Sequence, residues 1–381
     1  MDPLMNGFRF IKGIALGFSL SATVALGADG FVSLFNGKDL TGWTTVGTEG
    51  SFSVKKGAIR TTGVHPYPAW LRSDKQYENF VLRFSFKPEG GWYEGGVFIH
   101  APAQGPGADI GFRIHTSHSP TPYGTHSMGA IYNVATPLAF PGFSPKKWNK
   151  FEVTCQWPIL KITLNGMLIH NIDMSKDPAW KHRLRKGFIG IDHISNAKGL
   201  YKDIEIKELP GKQKWVSLFT APDCLKITGK SKWTYDAKTQ TFLAVGKNSM
   251  AYTKQEIKAP YELQVWVKTI TPNENGGVIF NASPSTKQHG PEAQCFSVPG
   301  ATNPTGSLYH IDSAKKVITR DNEWFLLQLF NEGAHVTVYI NGQKMSETKN
   351  MKPPYKGVFG FQQHTPNGKI KYRGARVRSL K

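Results

Sequence analysis

The stretch GPEAQCF places Glu292 and Gln294 two residues apart, and on a strand such residues leave the same face. A carboxyl and an amide sharing a face can hold a polar ligand or move a proton, or can simply be a solvent-facing strand pair. An earlier stretch, DIGFRIH, carries Arg113 and His115 at the same spacing. A guanidinium and an imidazole there offer a fixed positive charge and a group that titrates near neutrality. Both stretches run on to similar turns, MGAIY with Tyr132 and TGSLY with Tyr309. Each tyrosine reads as a half-buried aromatic with a face that can stack on a ligand. His100, His115, His118, His126 and His193 all fall within residues 100–193. They are either scattered loop residues or the makings of a basic or divalent-metal site.

Several familiar chemistries lack their signatures. There is no G-x-S-x-G elbow, no H-E-x-x-H, no P-loop and no dinucleotide glycine fingerprint. Retaining β-sandwich glycanases cluster carboxylates on one strand, because the acid and the nucleophile must stand about 5 Å apart. No such cluster occurs here, which disfavours ordinary two-carboxylate glycoside hydrolysis.

The elements that position these residues come from a unit written twice. FVSLFNGKDLTGW answers to WVSLFTAPDCLKI, GGVFIHA to GGVIFNA, and KGFIGIDH to KGVFGFQQH. Trp148 answers to Trp324, and Asn165-Gly166 to Asn341-Gly342. Such internal similarity predicts two domains of one fold, 29–210 and 211–381, joined near LPGKQK. Within each copy the hydrophobic period is two, as in FVLRFSFK and LKITLNGMLI. The Asn-Gly pairs between alternating runs predict hairpins, since a type I′ turn needs positive φ at both central residues. No sustained helical stripe occurs, although SKDPAWKHRL can form a turn. The expectation is all-β: two antiparallel β-sandwich domains in tandem, with Trp43 and Trp233 in their cores.

A chain of 381 residues suits two domains, and 10 Trp, 13 Tyr and 23 Phe supply real cores. Lys and Arg outnumber Asp and Glu 47 to 27. The positive charges are scattered without a run or a nucleic-acid motif, so they read as solvated charge, with no nucleic acid as partner. The first 28 residues place Arg9 and Lys12 before an apolar run that ends in small residues, the pattern of a secretory signal peptide. The protein is therefore expected to be secreted or periplasmic. That run is shorter than the roughly 20 residues needed to span a bilayer, so no membrane span is expected. Of three cysteines, Cys155 reads as a buried thiol, while Cys224 and Cys295 are a candidate pair.

These motifs, in order, resemble the 3-keto-disaccharide hydrolase domain family, also described as 3-keto-α-glucoside-1,2-lyase/3-keto-2-hydroxy-glucal hydratase. The matches are LFNGKDLTGW, GGVFI and NGGVIF, MGAIY and TGSLY, the WN at Trp148, and the closing FGFQQH with KYRGARVRSL. The resemblance covers nearly the whole chain after the first 28 residues. It implies a concanavalin-like jelly-roll sandwich acting on an oligosaccharide or 3-keto-glycoside. A ketone at C3 acidifies the C2 proton; a base removes it, and the C1 oxygen leaves by β-elimination. The enolate oxygen then needs a donor or cation, and a divalent metal can serve.

By the same resemblance the second copy keeps the family's polar positions. Glu292 and Gln294 stand at its E-V-Q, Gln362 and His364 at its Q-x-H, and Arg373 at its closing arginine. His364 is implied as base or metal ligand, Glu292 as acid/base partner, and Gln294, Gln362 and Arg373 as orienting and enolate-stabilising groups. In the first copy Arg113 and His115 replace the first pair, Asp192 precedes His193 at the second, and Lys202 replaces the arginine. The second copy is therefore expected to hold the working site, with Arg113, His115, Tyr132, His193 and Tyr309 as further sugar-binding residues. The rival reading is a non-catalytic carbohydrate-binding sandwich.

Overall fold

The computed structural model describes residues 29–63, 69–90, 93–117, 124–139, 142–194, 196–211, 213–283 and 290–380. The signal-like segment and His118 lie outside them. Each copy is a pair of antiparallel sheets packed face to face. In the first, a five-stranded sheet has the order Trp43–Val46, Ala69–Tyr77, Gly187–His193, Gly95–Ala101, Phe112–His115. It covers an eight-stranded sheet in which Phe80–Pro88 lies between Asn149–Gln156 and Gly199–Glu208. The second copy repeats the plan, with Leu225–Gly229, Ser249–Thr253, Lys356–Gln363, Asn275–Ala282 and Glu292–Phe296 in the shorter sheet. Among the described residues no strand pairing crosses from one copy to the other.

Alternation explains the layering. Leu71, Val97, Ile99, Phe112, Ile114 and Ile191 turn inward to one core, and Val278, Phe280, Ala293 and Phe361 to the other. Trp43 is buried and donates Nε1 to the Leu34 carbonyl at 2.6 Å. Trp233 packs against its core half-buried, with Nε1 on Ser249 Oγ at 2.8 Å. The hairpin asparagines and glycines have the positive φ that a type I′ turn demands: 52° and 83° at Asn165-Gly166, 49° and 79° at Asn341-Gly342. The turn in SKDPAWKHRL is the short helix Pro178–Lys181. Cys155, Cys224 and Cys295 are all free thiols, so the Cys224–Cys295 pair does not form.

The copies meet through a small apolar cluster of Ile110 and Leu184 from the first with Leu326 and Trp266 from the second. Gln328 Nε2 donates across the junction to the His182 carbonyl at 2.7 Å, and the His182 and Tyr339 rings stack 4.6 Å apart. Among the described residues no helix is long and apolar enough to cross a membrane.

Candidate functional site

Strand register equates the two copies residue by residue. Gly96 lies opposite His115 and Asp192, and Gly277 opposite Gln294 and Gln362. Arg113 opposite Phe98 therefore corresponds to Glu292 opposite Ile279. Ile194 N donates to Glu94 O at 3.1 Å, as His364 N does to Asn275 O at 3.0 Å, which equates Glu94 with Asn275. Gly129 and Gly306 donate to His115 O and Gln294 O, both at 2.9 Å, so three residues earlier His126 corresponds to Asn303.

Both shorter sheets thus present the same outer face with different chemistry. A glycine at its centre is required, because the neighbouring side chain lies flat across it. A Cβ on Gly96 would stand 2.7 Å from Arg113 Cγ, and one on Gly277 would run into the Glu292 carboxylate. Gly190 makes room for Trp70 in the same way, with a Cβ there 2.6 Å from the indole.

On the first copy this face is the floor of a cleft of about 680 Å³, lined by Trp70, Phe98, Tyr132, Glu94, Arg113 and Asp192 among others. That lies within the usual size range of small-ligand sites. Trp70 and Phe98 meet edge to face at 5.5 Å and form an apolar wall. Arg113 Nε donates to Asp192 Oδ1 at 3.0 Å, with the two side chains only 5% and 3% exposed. Two charges this deeply buried are tolerated because each satisfies the other. Arg113 Nη1 also lies 3.0 Å from His115 Nε2. A guanidinium can only donate, so this imidazole nitrogen accepts. Burial first, and then the neighbouring Arg113 guanidinium and His126 imidazole, push His115 down to about 2, so its ring is neutral at any working pH. Glu94, 31% exposed, stands 4.0 Å from Arg113 Nη1, and the guanidinium carbon lies 5.3 Å from the Tyr132 ring centre.

Glu94, His115 and His126 bring one ligand atom each to within 4.8 Å of one another. Two imidazoles and a carboxylate form a donor set that suits zinc-class cations. The other first-copy histidines stand apart. His100 is a core residue, its Nε2 2.8 Å from the Glu78 carbonyl and its ring edge-on to Phe80. His193 corresponds to Gln363 rather than His364, because it lies opposite Gly95 as Gln363 lies opposite Gly276. It is buried edge-on to Phe52, on the opposite side of the sheet from Asp192.

The second copy gathers Glu292, Gln294 and Gln362 around Gly277. Gln294 Nε2 donates to Asn275 Oδ1 at 3.0 Å, and His364 stands exposed at the adjoining strand end. Tyr309, 40% exposed, packs on its neighbour His310 with ring centres 4.0 Å apart. Arg373 is not part of this group. The preceding Tyr372 is buried, with its hydroxyl on the Gln362 and Gly277 carbonyls at 2.6 and 3.2 Å. Alternation therefore sends Arg373 to the outer face of the other sheet, 3.9 Å above the Trp324 ring with Nε on Thr241 Oγ1 at 3.1 Å. Lys202 lies likewise over Trp148, at 4.8 Å.

Glu292 Oε1 is buried with no hydrogen-bond partner among the described residues. Desolvation pushes this carboxyl up to about 7. The folded state then binds a proton that the unfolded chain releases near its ordinary value of about 4.3. Unfolding stability is therefore expected to fall as pH rises from about 4.5 to 7 and to level off above. Urea melts across that range should show the slope, and Glu292→Gln should flatten it.

Asp192 and the histidines stand out in the sequence as departures from the family pattern; Glu94 does not. The signal for it lies in the repeat, where WYEGGVFI aligns with NENGGVIF and sets Glu94 against Asn275.

The model of the 3-keto-alpha-glucoside-1,2-lyase-like domain matches the chain twice, over residues 30–207 and 214–378. Two crystal structures provisionally described as glycosyl hydrolases from Parabacteroides distasonis ATCC 8503 are similar to it. One is 22% identical, covering 48% of this chain and 95% of its own, with a TM-score of 0.41. The other is 23% identical, covering 44% and 100%, with a TM-score of 0.38. A carbohydrate binding module from Bacillus subtilis is 10% identical over 43% of this chain and 95% of its own, with a TM-score of 0.31. None of the curated proteins matches significantly. The chain belongs to the 3-keto-alpha-glucoside-1,2-lyase-like domain family, carries that domain twice, and its function is a carbohydrate-active one.

Proposed function

We propose that the first copy, not the second, is the working one, and that it cleaves 3-keto-glycosides by C2 deprotonation and elimination at C1. The observation that carries this reading is the buried Arg113–Asp192 pair on the floor of an aromatic-walled cleft. The second copy's face sets an uncharged amide pair and a desolvated acid at the matching positions.

In this reading Trp70, Phe98 and Tyr132 hold the sugar ring. The ketone at C3 lies toward Arg113, whose charge stabilises the oxyanion as it forms. One Asp192 oxygen is engaged by Arg113 Nε; the other accepts the C2 proton. The C2–H electrons form the enolate, which collapses to a C1=C2 double bond and expels the C1 oxygen, protonated by the Tyr132 hydroxyl. Water adding to C1, with the proton returned to C2, completes a net hydrolysis. With no ion bound, His115 accepts from Arg113 Nη1 and steadies the second arm of the guanidinium.

Incubating the protein with a 3-keto-disaccharide should release free 3-keto-sugar or the 2-hydroxy-glucal-type enone, detectable by mass. Binding without turnover would sink the enzyme reading and leave a carbohydrate-binding protein. Export is part of the proposal and rests on the signal-like first 28 residues. An exported form that retains Met1 on intact mass would count against cleavage of that segment.

A further inference from the structure

We propose that Glu94, His115 and His126 bind one divalent cation of the zinc class at the edge of the first-copy cleft, an inference that rests on the same reading of that cleft. The three ligand atoms are already within 4.8 Å of one another. A set of two histidines and one carboxylate leaves a coordination position open for solvent or substrate.

The second copy serves as an internal control. At the three equivalent positions it carries Asn275, Gln294 and Asn303. All three potential ligands are replaced by amides, and Gln294 and Asn275 use theirs to bond each other at 3.0 Å. The same fold thus closes this space with neutral hydrogen bonds in one copy and opens it with metal-type donors in the other. Burial is a separate pointer. His115 is 0% exposed, and its Nδ1 has no hydrogen-bond partner among the described residues. His100, His182 and His193 also hold such a nitrogen, and of the four it is His115 that is grouped with a carboxylate and a second imidazole. Charge also favours a cation, since Glu94 and Asp192 stand against the single positive charge of Arg113.

Ligation has one structural consequence. If Nε2 binds the ion, it can no longer accept from Arg113. If Nδ1 binds it, Nε2 carries the proton and faces the guanidinium donor to donor. Either way the Arg113–His115 contact breaks, while the Arg113–Asp192 bond can stay. A cation beside Arg113 would act as a Lewis acid on the C3 carbonyl oxygen, adding to the guanidinium's stabilisation of the enolate.

The test uses the untagged full chain, stripped with chelator and titrated with Zn²⁺ by calorimetry, with Co²⁺ absorption as a spectroscopic check on imidazole ligation. One equivalent is expected to bind. The triple variant E94N/H115Q/H126N, which installs the second copy's own residues, is expected to bind at least 100-fold more weakly while its circular dichroism and melting stay near wild type. No binding by the wild type, or equal binding by the triple variant, overturns the proposal. Binding without turnover of a 3-keto-disaccharide would fail the functional reading and leave the metal site standing. Turnover by a chelated protein that binds no Zn²⁺ would do the reverse.

Discussion

Asp192→Asn is expected to lower turnover of a 3-keto-disaccharide by about 10²- to 10⁴-fold, the usual worth of a positioned general base. The asparagine keeps an oxygen to accept from Arg113 Nε, so the 3.0 Å contact and the shape of the cleft floor survive. What is lost is the oxygen that takes the proton. KM should therefore change far less than kcat, the pattern expected when an interaction operates chiefly in the transition state. Arg113→Gln should lower turnover as well, and it also strands the Asp192 carboxylate, buried to 3% exposure, so a loss of stability should accompany it. Steady-state kinetics with melting curves for both variants separate the two effects. If Asp192→Asn turned over within twofold of wild type, the proton acceptor would have to be sought elsewhere.

The second large effect is on folding. Glu262 and Arg378 are 2% and 8% exposed, and Arg378 Nε donates to Glu262 Oε2 at 2.8 Å. Gln264 and Gln328 donate to the other Glu262 oxygen at 2.6 and 3.2 Å. Gln328 in turn reaches the His182 carbonyl of the first copy, so this network ties the outer face of the second copy's longer sheet to the junction. Removing one partner leaves a buried charge uncompensated. Either Arg378→Ala or Glu262→Ala should cost about 3–5 kcal/mol, measured as a lower urea midpoint at unchanged slope. The double variant should cost less than the sum of the singles, because the stranded charge has gone. Additive losses would mean that the pair is not coupled.

The sequence showed the fold clearly for a physical reason. Strand period, Asn-Gly turns and the internal repeat are local signals, and each maps directly onto a strand, a hairpin at Asn165 or Asn341, or a second copy. The site was legible only in part. Alternation alone placed Glu292 with Gln294 and Arg113 with His115, and the structure keeps both pairs on their outer faces. It also contains the reason Arg373 lies elsewhere. Tyr372 must turn inward, so its neighbour cannot reach Glu292 on the other sheet. His193 required the register across Gly95, a pairing that no single strand reveals. The proposal that the first copy works rests on its cleft rather than on residue types. Matching the family's residue types favoured the second, but a cleft depends on how the Trp70 and Phe98 wall and the Tyr132 turn stand around the floor. Those are long-range relations, and the exchange of Asn275 for Glu94 in the first copy acquires meaning only once His115 and His126 are seen beside it.

The claim that the first copy does the chemistry meets its most direct test in one comparison. Turnover of a single 3-keto-disaccharide should be measured for wild type, Asp192→Asn and Glu292→Gln under identical conditions. The account predicts that Asp192→Asn loses at least a hundredfold while Glu292→Gln stays within about twofold of wild type. The opposite order, with Glu292→Gln inactive and Asp192→Asn active, would contradict it and place the catalytic face on the second copy.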